Sequence, residues 1–207
     1  YGDALVVQDT GTQFGDADLG LIDWANGSEL DGLHAHVEDE TLFLLFAGNL
    51  ESNFNKLDIF IDAIPGAGQN RLRSDNPDVK FGGLNRMGGT GRGAEPGLLF
   101  DQGFAPDFWV DFTGGGEIGV SYDTYVNWSG LATDGGSDVD FGFAGPGGPG
   151  AGQALFAGNG IIASIDNSNV GGVSGGAGLD DGGGVTTGVE LAIPLSVLGW
   201  TEGDRIA

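Results

Sequence analysis

The sequence is poor in several features that would each define a class of protein. It has no cysteine and only 7 Lys and Arg residues against 30 Asp and Glu residues. The lack of cysteine excludes disulfides and thiol chemistry. The scarcity of positive charge excludes the basic surface that nucleic acid and anionic membranes need. No apolar run is long enough to cross a bilayer, and the period of an amphipathic helix is almost absent.

The chain contains enough apolar residues to form a folded core. Hydrophobic residues make up 40% of its 207 residues, including 13 Phe and 4 Trp, although 43 residues are glycine. A chain of this length is typical of one all-β domain. Its net charge of -23 favours cations as partners, because bound divalent ions relieve repulsion between carboxylates.

Period-two alternation recurs along the chain and predicts about ten short strands separated by Gly, Pro, Asn and Asp. "LHAHVEDETLFLLFAGNL" predicts a hairpin that turns at residues 38–40, with a second arm apolar on both faces and therefore central. "KLDIFIDAI", "GLLFD" and "DFWVDFTG" are predicted strands. The glycine-rich stretches 82–97 and 144–152 are predicted loops. The pattern predicts a single antiparallel two-sheet β-sandwich, jelly-roll-like in its strand count.

Several motifs resemble a known group in order and spacing: "DETLFLLFAGNLESNFNKLDIFIDAIPGAGQN", "FDQGFAPDFWV", "IDNSNVGGV" and "VTTGVELAIPLSVLG". The chain resembles bacterial secreted proteins, mostly uncharacterised, that often carry a PEP-CTERM surface-sorting tail. More distantly, "LDIFID" and "VELAIPLSVLG" look like jelly-roll modules of the DOMON and family 9 carbohydrate-binding type. The resemblance implies a secreted β-sandwich at the cell surface and no particular reaction.

The two ends of the sequence suggest a strand that one molecule lends to another. Modules of this type usually add a strand after "VELAIPLSVLGWTEGD", and here only "RIA" follows. Residues 1–20 are expected to be a strand with a tether, and residues 21–207 the sandwich domain. A free strand and an open edge permit donor-strand complementation, which builds a head-to-tail filament of identical subunits. The alternative is that the N-terminal strand pairs within its own domain.

This hypothesis assigns interface roles to two segments. The donor strand would be Ala4, Leu5, Val6 and Val7, followed by polar residues to Asp9, with Leu5 and Val7 filling a groove on the neighbour. The groove would border an edge at residues 189–195, which contains Val189, Leu191 and Ile193.

Carboxylate and amide side chains cluster at predicted strand ends, where they can bind calcium together with backbone carbonyls. Turn chemistry explains each cluster equally well, because Asp and Asn also cap backbone amides. None has the spacing of an EF-hand or of a calcium-binding repeat. The candidate ligands are Asp62, Asn70, Asp101, Asp107, Asp166, Asn167 and Asn169, with Gln69, Asp180 and Asp181 nearby.

Other side chains suggest chemistry less strongly. His34 and His36 share a strand face, but no cysteine or third histidine completes a zinc site. An alternative function, an extracellular carbohydrate-binding module, would use exposed members of Trp109, Tyr122, Tyr125 and Trp128, of which half are expected to lie in the core. No catalytic motif is present with its required context, and we expect a non-enzyme. Asn26 and Asn127 begin sequons that could carry glycans.

Overall fold

The computed structural model describes residues 2–7, 21–22, 25–26, 29–50, 53–79, 83–88, 96–115, 123–147, 155–169, 173 and 185–207. These residues form twelve strands and one short helix, which confirms the all-β prediction. The strands are β1 (Val6–Val7), β2 (Leu21–Ile22), β3 (Ala25–Asn26), β4 (Leu30–Glu38), β5 (Thr41–Gly48), β6 (Asn53–Ile61), β7 (Phe108–Gly115), β8 (Asp123–Gly130), β9 (Phe141–Gly147), β10 (Leu155–Phe156), β11 (Ile162–Ile165) and β12 (Gly188–Pro194), and the helix is α1 (Leu84–Met87).

Two antiparallel sheets pack face to face and make a β-sandwich. One has six strands in the order β1-β4-β5-β12-β11-β10, and the other has four in the order β6-β7-β8-β9. Alternate residues of facing strands fill the space between them, as the period-two pattern requires. The core includes Leu44, Val110, Val126, Leu191 and Ile193.

The predicted hairpin is confirmed. Strands β4 and β5 pair from Leu30↔Gly48 to Glu38↔Thr41. Their turn places Asp39 at φ 46° and Glu40 at φ 58°. Strand β5, the second arm of the hairpin, lies between β4 and β12, which is the central position that its two apolar faces predicted.

A second layer covers the outer face of the four-stranded sheet. Trp109, Leu72 and Leu84 form a separate buried cluster there, and Phe60 packs against it. The layer comes from the long connection between β6 and β7. The strand expected at "GLLFD" is wrong, since Leu99 makes only an isolated bridge to Arg71. The predicted loop 82–97 contains the short helix α1.

Candidate functional site

An apolar cleft opens along one side of the sandwich, between the edges of its two sheets. Strand β6 is an edge strand of the four-stranded sheet. In the other sheet, β4 lies next to β1, which pairs with two of its residues among those described, Gly32 and Leu33. The cleft has a volume of about 370 Å³. Its apolar lining includes Leu33, Ala35 and Val37 from β4, Leu44 and Phe46 from β5, and Ile59 and Ile61 from β6.

The edge of β6 presents main-chain groups that no described strand pairs. The Ile61 carbonyl accepts a hydrogen bond from the Asp107 amide, on the β7 side of the strand, at 2.9 Å. The amide and carbonyl of Asp62 point to the opposite side, towards Ala207. Because successive peptide groups of a strand point to opposite sides, Phe60, Asp58 and Lys56 direct theirs away from β7. Among the described residues, β6 pairs only with β7. This edge is therefore a template for an added strand.

One residue already pairs with the end of this edge. The Asp62 amide donates to the Ala207 carbonyl, and the Ala207 amide donates to the Asp62 carbonyl, both at 2.9 Å. Neighbouring Ile206 packs against the core. The reciprocal pair is the hydrogen-bonding unit of an antiparallel ladder, so this side of the strand accepts a partner in strand geometry.

The N-terminal strand β1 pairs with its own chain. Val6 lies opposite Leu33, Val7 lies opposite Gly32, and the Leu5 amide donates to the Leu33 carbonyl at 2.7 Å. The contact buries little: Leu5, Val6 and Val7 are 65%, 58% and 64% exposed. The strand is thus held mainly through its backbone. Val6 and Val7 remain largely in solvent, and the Leu5 side chain already lines the cleft of its own chain.

The expected groove at residues 189–195 is wrong. Strand β12 pairs with β5 on one side and with β11 on the other. Val189, Leu191 and Ile193 are buried in the core. These residues lie in the middle of a sheet because strand order is set by pairing between distant segments, which alternation along the chain does not report.

Four of the predicted calcium ligands lie in loops that hydrogen bonds tie together. Asp107 Oδ2 accepts from the amides of Ala63 (2.9 Å) and Ile64 (2.6 Å), and Asp62 Oδ2 accepts from that of Ala105 (3.0 Å). Burial raises the pKa of Asp107, and the two amides oppose that shift. Asn70 Nδ2 faces the carbonyls of Phe100, Asp101 and Phe104 at 3.3, 2.9 and 2.7 Å.

The other predicted ligands fasten loops at the end of β5. The Asn167 side chain makes two hydrogen bonds with the Leu50 backbone: its Oδ1 accepts from the amide at 2.9 Å, and its Nδ2 donates to the carbonyl at 2.7 Å. Asn169 bridges to the carbonyls of Gly48 and Thr187, and Asp166 caps the Ser168 amide. The described residues include no group of three or more His, Asp or Glu side chains arranged to hold a metal. Calcium stays a prediction, and Asp180 and Asp181 lie outside the described residues.

The predicted sugar platform is wrong for both tryptophans. Trp109 and Trp128 are buried, Tyr125 is half-buried, and Tyr122 lies outside the described residues. His34 Nδ1 faces the Gly2 carbonyl at 3.3 Å, and His36 is exposed beside Glu38.

The two sequon asparagines, Asn127 and Asn26, have different outcomes. Asn127 is fully buried in β8, and because a glycan could not fit there, that prediction is wrong. Asn26 lies in β3, but its side chain is outside the described part of the chain.

Sequence reasoning missed a polar row on the outer face of the four-stranded sheet, in which Asp111 and Asn127 are buried and Asp58 is half-buried. Asp58, Asp111 and Asn127 lie side by side on β6, β7 and β8. Lys56 Nζ is 3.2 Å from Asp111 Oδ2, and Trp109 Nε1 donates to Asp58 Oδ1 at 2.9 Å. The signal was available, since each aspartate interrupts a strongly apolar strand.

Burial dominates the electrostatics of this row. It raises the pKa of Asp111 to about 7, with the Lys56 charge opposing the shift and the Asp58 charge adding to it. It also raises the pKa of Asp58, against the Trp109 hydrogen bond and the Lys56 charge. The two carboxylates share one ammonium, so the row carries excess negative charge when both are ionised.

Comparison of the chain with models of protein families, with curated proteins and with solved structures gives no match. Among the described residues, no helix is long and apolar enough to span a membrane. The fold and the open edge therefore carry the functional argument.

Proposed function

We propose that this protein is a secreted structural subunit that assembles head to tail into an extracellular filament. Each subunit donates its N-terminal strand to the open side of the next sandwich. The observation that carries the proposal is the coexistence of an exposed apolar strand and an open apolar cleft in one molecule. A contact between two different surfaces of identical subunits repeats without closing unless its rotation forms a ring.

Covering the donor side chains supplies a driving force for exchange. Among the described residues, the intramolecular pairing covers two residues of β4 and leaves three apolar side chains mostly exposed. Alternate side chains can enter the cleft, and covering the exposed part of each one that enters stabilises the complex by about 1–2 kcal/mol. A longer ladder adds backbone hydrogen bonds worth about 0.5–1.5 kcal/mol each. Together these gains can offset the entropy lost on association.

The location and the calcium requirement belong to the same proposal. Resemblance to secreted surface proteins supports an extracellular location. Adjacent subunits that each carry a net charge of -23 repel one another, and calcium bound at acidic loops would reduce that repulsion.

Replacing the donor side chains tests the proposal. We expect Leu5→Asp with Val7→Asp to abolish filaments in electron micrographs and to leave a particle of monomer mass by light scattering. A charged side chain does not enter an apolar cleft without a partner. The fold should survive, because these residues contribute little buried surface, and an unchanged thermal melt would verify this.

Leu99→Asp is the matched control, because Leu99 is also an exposed leucine, at 57%, and lies outside the cleft. It should leave the filaments intact. Filaments that persist in the Leu5 and Val7 double variant, or after deletion of residues 1–10, would remove strand donation from consideration.

The carbohydrate-binding alternative gains no support from the described residues. Two of the four aromatic side chains that suggested it are buried. Binding of purified polysaccharide by the monomeric variant would revive it.

A further inference from the structure

Resting on the proposed function, we infer which edge receives the donated strand. The edge of β6 is the acceptor, and a second copy's N-terminal segment, residues 4–7, is the occupant. The strand extends the four-stranded sheet and inserts alternate apolar side chains into the cleft.

The first argument is the length of the unpaired edge. Strand β6 keeps an uninterrupted register with β7 from Lys56↔Thr113 to Ile61↔Phe108. Over that stretch Phe60, Asp58 and Lys56 direct peptide groups outward, and the described residues offer them no strand partner. Among the described residues, the contact of β1 with β4 spans two paired residues. The stretch of β6 from Lys56 to Ile61 is long enough to pair with all four residues 4–7.

The second argument is the reciprocal pair between Asp62 and Ala207. It shows that the outward side of this strand accepts a partner in antiparallel geometry, and the described residues place no strand beside the edge from Ile61 to Lys56. Strand β12 offers no such edge, because it pairs with β11 on one side and with β5 on the other.

The third argument is what lies beneath an added strand. Ile59 and Ile61 line the cleft from β6, and Leu33, Ala35 and Val37 line it from β4. The chain's own Leu5 and Ile206 also line it, so a donated strand would take the place that Leu5 holds in the single chain. Val37 is 49% exposed, so the β4 side of the cleft is incompletely covered. The donor has apolar residues at four successive positions, Ala4 to Val7, and alternate ones can face this lining. Backbone pairing and side-chain pockets then act together.

Disulfide trapping tests the acceptor, since the chain has no cysteine of its own. Donor variants Leu5→Cys, Val6→Cys and Val7→Cys are each mixed with one acceptor variant and oxidised. Lys56→Cys reports the β6 edge, His36→Cys reports the β4 edge, and Glu190→Cys on β12 is the matched control. Because cross-strand cysteines need Cβ atoms about 3.5–4.5 Å apart, three donor positions sample the register.

We expect a cross-linked dimer of donor and acceptor variants with Lys56→Cys, and no more than background with Glu190→Cys. Cross-linking with His36→Cys alone would overturn the β6 assignment and leave strand donation standing. No cross-link with either acceptor, in material that still forms filaments, would also overturn it. A wild-type protein that stays monomeric would remove the proposed function itself.

Hydrogen exchange is an independent readout that needs no introduced cysteine and leaves the β6 edge unsubstituted. Filaments should protect the amides of Lys56, Asp58 and Phe60 at least tenfold relative to the monomeric Leu5 and Val7 double variant. The amide of Glu190, already inside a sheet, should change little. Equal exchange at β6 in filament and monomer would overturn the assignment.

Discussion

Burial, more than residue type, decides what the charged side chains of this protein do. Asp75 on the surface pairs with Arg73, which lowers the pKa of Asp75. Asp111 pairs with Lys56 as well, yet its carboxyl group is inaccessible to solvent and its pKa rises to about 7. Desolvation penalises the charged form, and a single lysine shared with Asp58 does not compensate.

Replacing Asp111 should change how stability depends on pH. In the unfolded chain an aspartate has a pKa of about 4, whereas the pKa of folded Asp111 is raised to about 7. The folded state therefore binds this proton more tightly, and its contribution to stability, full below about pH 4, is lost as the pH rises to about 7. In Asp111→Asn, we expect the loss of unfolding free energy between about pH 4 and about pH 7 to be smaller by roughly 2–4 kcal/mol. Urea unfolding at several pH values measures this difference.

Asp75→Asn is the control for that experiment. Its pKa is lowered in the folded state, so removing it has the opposite sign, and its exposed position makes the effect small. A pH profile in Asp111→Asn that matches that of the unsubstituted protein would contradict the role assigned to this carboxyl group.

At the scale of single elements, local patterns and turn chemistry explain the best-defined part of the fold. The β4–β5 hairpin follows from alternation on β4, an apolar β5 and a two-residue connection. Both turn residues have positive φ, as a type I′ turn requires, although neither is the Asn or Gly that adopts it without strain. The Glu40 carbonyl also accepts from the Leu195 amide at 2.8 Å, which helps hold the turn in place.

An Asn-Gly turn should therefore stabilise the protein. Asp39→Asn with Glu40→Gly removes side-chain strain at positive φ and retains the carbonyl that Leu195 uses. We expect the free energy of unfolding to increase by about 1 kcal/mol, measured by urea denaturation. Glu38→Gly, at the end of β4 beside the turn, is the comparison and should instead destabilise by about 0.5–1 kcal/mol. A destabilised Asn-Gly variant would argue against strain at this turn.

At the scale of the whole molecule, excess negative charge opposes the proposed association of subunits. Seven basic residues face thirty acidic ones, so two subunits approach against long-range repulsion. This repulsion reaches about 30 Å at 0.01 M salt and about 10 Å at 0.1 M. Salt should therefore act on assembly much more than on the apolar core.

We expect filament growth to accelerate severalfold when sodium chloride is raised from about 0.01 M to about 0.1 M, as measured by light scattering. Calcium at matched ionic strength separates general screening from specific binding. A further acceleration with calcium, reversed by chelator, would support bound ions in the acidic loops. Growth that slows with salt would contradict repulsion as the barrier.

The sequence by itself determined the sandwich, because alternation, glycine-rich turns and the absence of helical periodicity leave few other architectures. It also indicated the hairpin and the central position of β5, since both follow from neighbouring residues. Only the tertiary structure decided that β12 is enclosed between β5 and β11, that β6 pairs with β7 alone among the described strands, and that Asp111 and Asn127 are buried. Strand order and burial depend on segments far apart along the chain, and a period of two reports which residues share a face but not which strand or layer will cover it.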